Sequence, residues 1–92
     1  DTGISGRIAR KVGNAMRSLA DFHQIIAITH LPQIAALSHA HFRVEKNELA
    51  GRTVTSISRL DREAQTQEVA RLVSGATVTE SSLTTARELI DG

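Results

Sequence analysis

The stretch 25–37, IIAITHLPQIAAL, decides how this chain is expected to fold. Its first four residues are apolar, and a strand that is apolar on both faces is typical of the centre of a parallel sheet. Thr29 and His30 then place a hydroxyl and an imidazole where that strand ends. Pro32 suits the first turn of a following short helix. We therefore expect a polar site at the carboxyl end of a strand spanning 24–29.

Ligands of open α/β sheets bind beyond the carboxyl ends of the strands. The helix after Pro32 would direct free N–H groups and its positive end toward the same crevice, which suits an anion. A histidine there can donate to a phosphate oxygen or orient a water, although a histidine that merely fills the loop fits the spacing equally well. The turn-like DTGISG at residues 1–6 would face the same crevice, because neighbouring parallel strands end on one side. The residues thus indicate a phosphate-facing site without identifying a nucleotide.

A helix is expected before this strand, with Ser5 as its cap and Ala20 near its end. Four residues form its apolar stripe: Ile8, Val12, Met16 and Leu19. Four basic residues lie on the opposite side: Arg7, Arg10, Lys11 and Arg17. Solvation is the usual role of such a face, and contact with DNA or another phosphate is the alternative. A helix that feeds a parallel strand belongs to a crossover unit, so we expect a further strand before Asp1.

A hairpin is expected after the short helix, which should end near Leu37. Ala40, Phe42 and Val44 alternate with polar residues, which indicates a strand with these three side chains inward. NELAG forms the turn, and RTVTSISRL returns as a strand rich in β-branched residues. Val54 and Ile57 are three residues apart, so the alternation slips and a bulge is possible.

Two helices are expected to complete the chain. Asp61 can cap the first, which runs to about Val73 and stops at Gly75. The second begins near Thr79 to Ser82. Their buried positions are expected to be Val69, Leu72 and Val73 in the first helix and Leu83, Ala86 and Ile90 in the second.

Composition limits the chemistry that the chain can carry. Its 92 residues suit one small domain, and a net charge of +1 argues neither for nor against nucleic acid. Because cysteine is absent, disulfides and thiolate chemistry are excluded. The absence of an HExxH pattern disfavours a metal site on its histidines. The sequence also has no Walker A lysine loop, so no motif in it can hold a triphosphate. The start at Asp1, directly in a turn, is expected of a piece of a longer protein.

Five segments together resemble the carboxyl-terminal part of an ATPase head. They are DTGISGRIARKVG, ITHLPQIAA, HFRVEK, GRTVTSISRLDREAQTQEVARLVSG and SSLTTARELI. Such heads are found in the SMC-related, ABC-type ATPases of bacterial DNA repair, and the resemblance covers essentially the whole chain, 1–92. It implies an α/β fold, namely a lobe of a P-loop NTPase head with parallel strand–helix units, a β-hairpin and carboxyl-terminal helices.

The same resemblance implies roles for individual residues. DTGISG resembles the D-loop, in which Asp1 follows the catalytic glutamate by two places and Gly3 to Ser5 cross to the opposite subunit. His30 resembles the switch histidine that senses the γ-phosphate and the attacking water, and Thr29 would support it. Walker A, the signature motif and the Walker B acids lie outside this sequence. This sequence therefore contains only part of any nucleotide-binding site.

Partners and cofactors also follow from the resemblance. They are ATP, Mg²⁺ held by residues outside this chain, the remainder of the parent chain, a second head in a homodimer, and DNA, in the cytoplasm. The resemblance implies recombinational repair of double-strand breaks, with no ATP bound tightly or hydrolysed by the isolated chain. One alternative is a stand-alone nucleic-acid-binding module that uses the basic face of helix 7–20. Another is an interaction domain without chemistry.

Overall fold

A computed structural model describes residues 2–92, with side chains from Ser5 onward. Four helices and one hairpin follow one another along the chain: α1 Thr2–Leu19, α2 Pro32–Ala35, β1 His41–Leu49, β2 Arg52–Leu60, α3 Arg62–Ser74 and α4 Glu80–Asp91. The mixture of helices with a hairpin agrees with the expected α/β class. The sheet in the described residues is a single antiparallel pair, so the expected parallel strand–helix unit is not found there.

The segment 24–29 is not a strand, so the prediction of a central parallel strand is wrong for this chain. Residues 24–31 have no regular secondary structure, and Ile26 and Ile28 are 85% and 101% exposed. A parallel strand needs a neighbour for its backbone N–H and C=O groups. Among the described residues, β1 and β2 pair only with each other, so this segment has no strand partner and is largely exposed to solvent.

The core lies between α2, α3 and α4. Val69, Ala70 and Ala86 are fully buried at the helix contacts. Larger side chains pack around them: Leu72, Val78, Leu83, Leu89 and Ile90. The predicted inward positions of the last two helices are confirmed except at Val73, which is 36% exposed.

Both ends of α3 and the start of α4 lie where their capping residues predict. The Asp61 carboxylate accepts the backbone N–H of Ala64 at 2.8 Å. Gly75 ends α3 with a φ of 83°, a left-handed conformation that favours glycine. Thr79 and Ser82 form a reciprocal capping box at 3.0 and 2.8 Å, which satisfies two backbone N–H groups at the start of α4.

The helix α1 differs from its prediction in its start and in its packed face. It begins at Thr2, so Ser5 lies inside it and is not its cap, because adding turns to an existing helix costs little. The apolar stripe is largely exposed: Ile8, Val12 and Leu19 are 58%, 45% and 53% exposed. Ala9 and Gly13 are buried instead. The side facing the rest of the chain is thus a line of small residues.

Close approach explains why α1 packs through small residues. A Cβ atom built on Gly13 would lie 2.8 Å from Cδ1 of Leu37 and 3.4 Å from the carbonyl oxygen of Gln33. A large side chain at this position would push α1 away from α2. The glycine that weakens the helix in isolation therefore permits the contact.

The hairpin runs in unbroken register from Leu49↔Arg52 to His41↔Leu60, so the predicted bulge is absent. Ala50 and Gly51 have φ angles of 51° and 75°, as a tight two-residue hairpin turn requires. With this register, Val54 and Ile57 point to opposite faces of the hairpin.

The faces of β1 are the reverse of those predicted. Phe42 and Val44 are 53% and 61% exposed, whereas His41, Arg43 and Glu45 are half-buried. The polar face turns inward because a buried carboxylate on α3 attracts it, as described below. The prediction that Ala40, Phe42 and Val44 point inward is therefore wrong, and Ala40 is exposed just before β1 begins.

Candidate functional site

Thr29 and His30 lie in the loop that leads into α2. The hydroxyl oxygen of Thr29 accepts the backbone N–H of Leu31 at 3.0 Å. This bond holds the turn on which His30 sits, and the imidazole remains exposed to solvent. Thr29 is therefore placed to fix the backbone of its neighbour.

The helix α2 contributes less positive potential than its predicted length implies. It spans four residues and ends at Ala35, short of Leu37. Pro32 occupies its first turn as predicted and has no N–H group. The N–H groups of Ile34 and Ala35 both donate to the carbonyl of Leu31, at 3.1 and 3.0 Å. An anion near this loop would be recognised mainly by the imidazole.

The predicted D-loop residues do not form a loop where the structure describes them. Gly3 and Ser5 lie within α1, and Ser5 is exposed; Asp1 lies outside the described residues. The first turns of α1 do come close to α2. A Cβ atom built on Gly6 would lie 3.1 Å from Nε2 of Gln33, three residues after His30. The residues predicted to form the D-loop and those predicted to form the switch-histidine loop thus lie on or beside adjacent helices.

A charged cluster between the hairpin and α3 escaped the sequence analysis. Glu68 is buried, and its carboxylate accepts two hydrogen bonds from Arg71, at 2.5 and 3.0 Å. Nε of Arg43 on β1 lies 3.6 Å from the same carboxylate. The three-residue spacing of Glu68 and Arg71 on a helix was the available signal. The partner on β1 could not be identified without the tertiary structure.

The protonation of this cluster follows from its contacts. The hydrogen bonds from Arg71 hold the pKa of Glu68 below its ordinary value, and nearby Arg43 acts in the same direction. Burial lowers the pKa of His41, although Glu68 opposes that effect. At neutral pH the cluster therefore holds an ionised carboxylate and a neutral imidazole. Its contacts are those of a structural ion pair.

Neither a metal centre nor a membrane span is found within residues 2–92. No three side chains of the ligating types are grouped there so that they could hold a metal ion. None of the helices described combines the length and the apolar character that crossing a bilayer requires.

This chain is similar to part of several bacterial DNA repair proteins. It is 41% identical over 90 residues to the DNA repair protein RecN of Xylella fastidiosa, and 43% identical over 90 residues to that of Vibrio cholerae. RecN of Halalkalibacterium halodurans is 37% identical over 91 residues. These matches cover 98 to 99% of the chain. The chain is similar to a segment of RecN. The resemblance to a bacterial DNA repair protein is thereby confirmed.

The chain spans about 16% of the length of these RecN proteins. The activity and partners of a whole RecN are therefore proposals for this chain. No protein-family model matches the sequence.

Proposed function

We propose that this chain is part of an SMC-like ATPase head in a RecN-type DNA repair protein. It contributes the switch-histidine loop at Thr29 and His30, and the D-loop at Asp1, Gly3 and Ser5, to an ATP site completed by the rest of the protein. The similarity to RecN supports the role in DNA repair. The hydrogen bond from Leu31 to Thr29, which presents an exposed His30 at a fixed turn, is the observation that carries the site.

The chemistry of this loop suits phosphate hydrolysis. An imidazole donates a hydrogen bond to an oxygen that gains negative charge, or orients a water, without adding a permanent charge. Thr29 keeps that donor in position through its bond to Leu31. ATP and Mg²⁺ would be held by groups outside this chain, since it has no Walker A lysine loop. His30 would therefore act on turnover more than on binding.

The exposed segment 24–29 supports a second part of the proposal. Ile26 and Ile28 present apolar side chains to water, and their backbone has no strand partner among the described residues. Strands from the remainder of the parent chain would cover these groups. A second head would complete a homodimer around ATP in the cytoplasm, and turnover would change how the parent protein engages broken DNA.

The test is His30→Ala in the full-length protein. Loss of a preorganised donor of this kind is expected to lower ATP turnover about 10²- to 10³-fold. ATP affinity should stay within about tenfold, or roughly 1.4 kcal/mol, because other loops hold the triphosphate. Turnover, affinity and melting temperature are measured on the same variant.

A matched control is His23→Ala, which removes another exposed histidine outside the motif. It should leave turnover and affinity near those of the unmodified protein. A structural role for His30 would instead lower the melting temperature and weaken both properties together. Near-normal turnover in His30→Ala would rule out the sensor role.

A further inference from the structure

A buried glutamine of α3 is hydrogen-bonded to the carboxyl end of α2. The amide Nε2 of Gln65 donates to the carbonyl oxygen of Ala35 and to the hydroxyl oxygen of Ser38, each at 3.3 Å. The Ser38 hydroxyl donates to the same carbonyl at 2.8 Å. Gln65 is buried, and a buried amide is tolerated only when its polar atoms are hydrogen-bonded. The contact therefore joins two helices that lie far apart in the sequence.

Two more hydrogen bonds lead from Ala35 to the loop that carries His30. The backbone N–H of Ala35 donates to the carbonyl oxygen of Leu31 at 3.0 Å. The N–H of Leu31 donates in turn to the hydroxyl oxygen of Thr29 at 3.0 Å. His30 lies between Thr29 and Leu31 in the chain, so this series of bonds holds both of its neighbours. Three hydrogen bonds thus connect Gln65 with the backbone on either side of the imidazole.

The short helix α2 depends on tertiary contacts for its position. It has four residues, and so short a helix is marginal without packing against other elements. Ala35 and the following Ala36 are buried, but their small side chains provide little apolar area. Apolar packing is also non-directional, whereas a hydrogen bond fixes both a distance and an angle. The bonds from Gln65 therefore define where the carboxyl end of α2 lies.

We propose that Gln65 is a positioning residue for the switch histidine, a role that rests on the proposed function of His30. The helix α3 contributes fully buried residues to the core and so provides a fixed support. Gln65 fixes the end of α2, and α2 fixes Leu31. Misplacing a reacting group by about 1 Å can slow a reaction about 10²-fold. Gln65 thus contributes to turnover without touching ATP.

The test is Gln65→Met in the full-length protein, because methionine keeps the length of the side chain but has no donor. Loss of one net hydrogen bond corresponds to about threefold to tenfold. ATP turnover should fall by about that factor, and ATP affinity should stay unchanged because other loops hold the triphosphate. Hydrogen exchange of the peptide that spans 29–36, measured by mass spectrometry, should become faster.

Two further variants separate positioning from general destabilisation. Gln67→Met makes the same change at an exposed position of α3 and should leave turnover and exchange unaltered. Leu83→Ala removes packing on α4 outside the series of bonds, so it should lower the melting temperature and keep turnover near normal. Turnover in Gln65→Met equal to that in Gln67→Met would overturn the proposal. So would a loss of turnover in Leu83→Ala as large as that in Gln65→Met.

Combining Gln65→Met with His30→Ala tests whether Gln65 acts through the imidazole. With His30 removed, Gln65→Met should cause no additional loss of turnover. An additional loss would show that Gln65 acts through another group, and the proposal would be wrong. Slow turnover in His30→Ala with normal turnover in Gln65→Met overturns the positioning role alone. Normal turnover in His30→Ala overturns the sensor role, and the positioning role with it.

Discussion

Glu68 links the hairpin to helix α3 through charge. Its carboxylate is buried and binds Arg71 on the same helix and Arg43 on β1. A buried carboxylate is tolerated only when such donors replace its hydration. The arrangement explains why β1 turns Arg43 and His41 inward while Phe42 stays exposed.

Acid should destabilise the fold in two steps, because two groups bind protons less readily when folded. The pKa of His41 is lowered from 6.5 by burial, and that of Glu68 is lowered from 4.5 mainly by its hydrogen bonds to Arg71. In each case the unfolded chain takes up more protons, so stability falls as pH falls through the folded pKa. Thermal unfolding of the chain between pH 8 and pH 3 is therefore expected to show losses below about 6.5 and below about 4.5.

Two substitutions test which residue causes each loss of stability. His41→Phe should remove the decline at higher pH, and His23→Phe controls for loss of an exposed imidazole. Glu68→Gln should flatten the decline at lower pH and cost roughly 1–3 kcal/mol at neutral pH, since charged hydrogen bonds are lost. A His41→Phe chain whose pH profile matches the unmodified one would contradict the assignment.

For single residues, the sequence predicts the chemical character of a position better than it predicts the residues that the side chain contacts. The position of Thr29 before His30 indicates a polar loop, and the structure adds the bond from Leu31 that no pattern specifies. The capping residues Asp61 and Thr79 are predictable because their partners lie within three residues. The ion pair of Arg43 with Glu68 joins residues far apart in sequence. Local spacing carries no information on such a pair.

Among the elements, α1 and α2 show how packing can depend on the smallest residues. Ala9 and Gly13 are buried on α1, and Leu37 and Gln33 lie opposite Gly13. The sequence pattern of large apolar residues pointed to a different side of the helix. Helix periodicity identifies an apolar stripe, but the closest contact between two helices is set by which residues leave room.

Gly13→Val is expected to destabilise the chain by about 1–3 kcal/mol, because added methyl groups would overlap the backbone of Gln33 and Ile34. Gly13→Ala should be nearly neutral, since Cδ1 of Leu37 can move and the helix gains roughly 1 kcal/mol of propensity. Chemical denaturation gives both values. The control is Ala15→Val on the exposed side of the same helix. Equal costs for the two valine variants would show that α1 does not pack closely here.

Element boundaries were predictable where the deciding interactions are local. The ends of α3 follow from its capping residues, and Gly51 takes a positive φ as the turn requires. The end of β1 was predicted too early, because Asn47 to Leu49 of the predicted NELAG turn belong to the strand. The prediction of a strand at 24–29 is wrong because the deciding interactions are not local. Its apolar pattern indicates a strand, but a strand forms only with a neighbouring strand, and the hairpin pairs with itself.

Over the whole molecule, apolar side chains divide between a small core and a large exposed surface. Among residues 5–92, Val69 is the largest side chain that is fully buried, whereas several bigger ones are exposed to solvent: Ile8, Phe22, Ile26, Ile28, Phe42 and Ile57. Where such side chains are contiguous, as Ile26 and Ile28 are nearly so in segment 24–29, they can bind other protein segments. The similarity to a segment of much longer RecN proteins agrees with that interpretation.

The isolated 92-residue chain is therefore expected to self-associate through segment 24–29. The backbone of this segment makes no backbone hydrogen bond among the described residues, and Ile26 and Ile28 are exposed to solvent. Sedimentation velocity should show a coefficient that rises with concentration. The combined change Ile26→Lys and Ile28→Lys should shift the chain toward monomer, because it places two positive charges on the segment that associates.

A matched control is Thr53→Lys with Thr55→Lys, which adds the same charge to two exposed positions of β2. It should leave association unchanged. In the full-length protein the isoleucine substitutions are expected to act in the opposite direction, because strands from the rest of the chain would bury these positions and a buried lysine costs several kcal/mol. The melting temperature should fall there, while the threonine variant melts normally. A concentration-independent monomer of the unmodified 92-residue chain, together with an unaffected full-length isoleucine variant, would show that segment 24–29 is an exposed linker in both proteins.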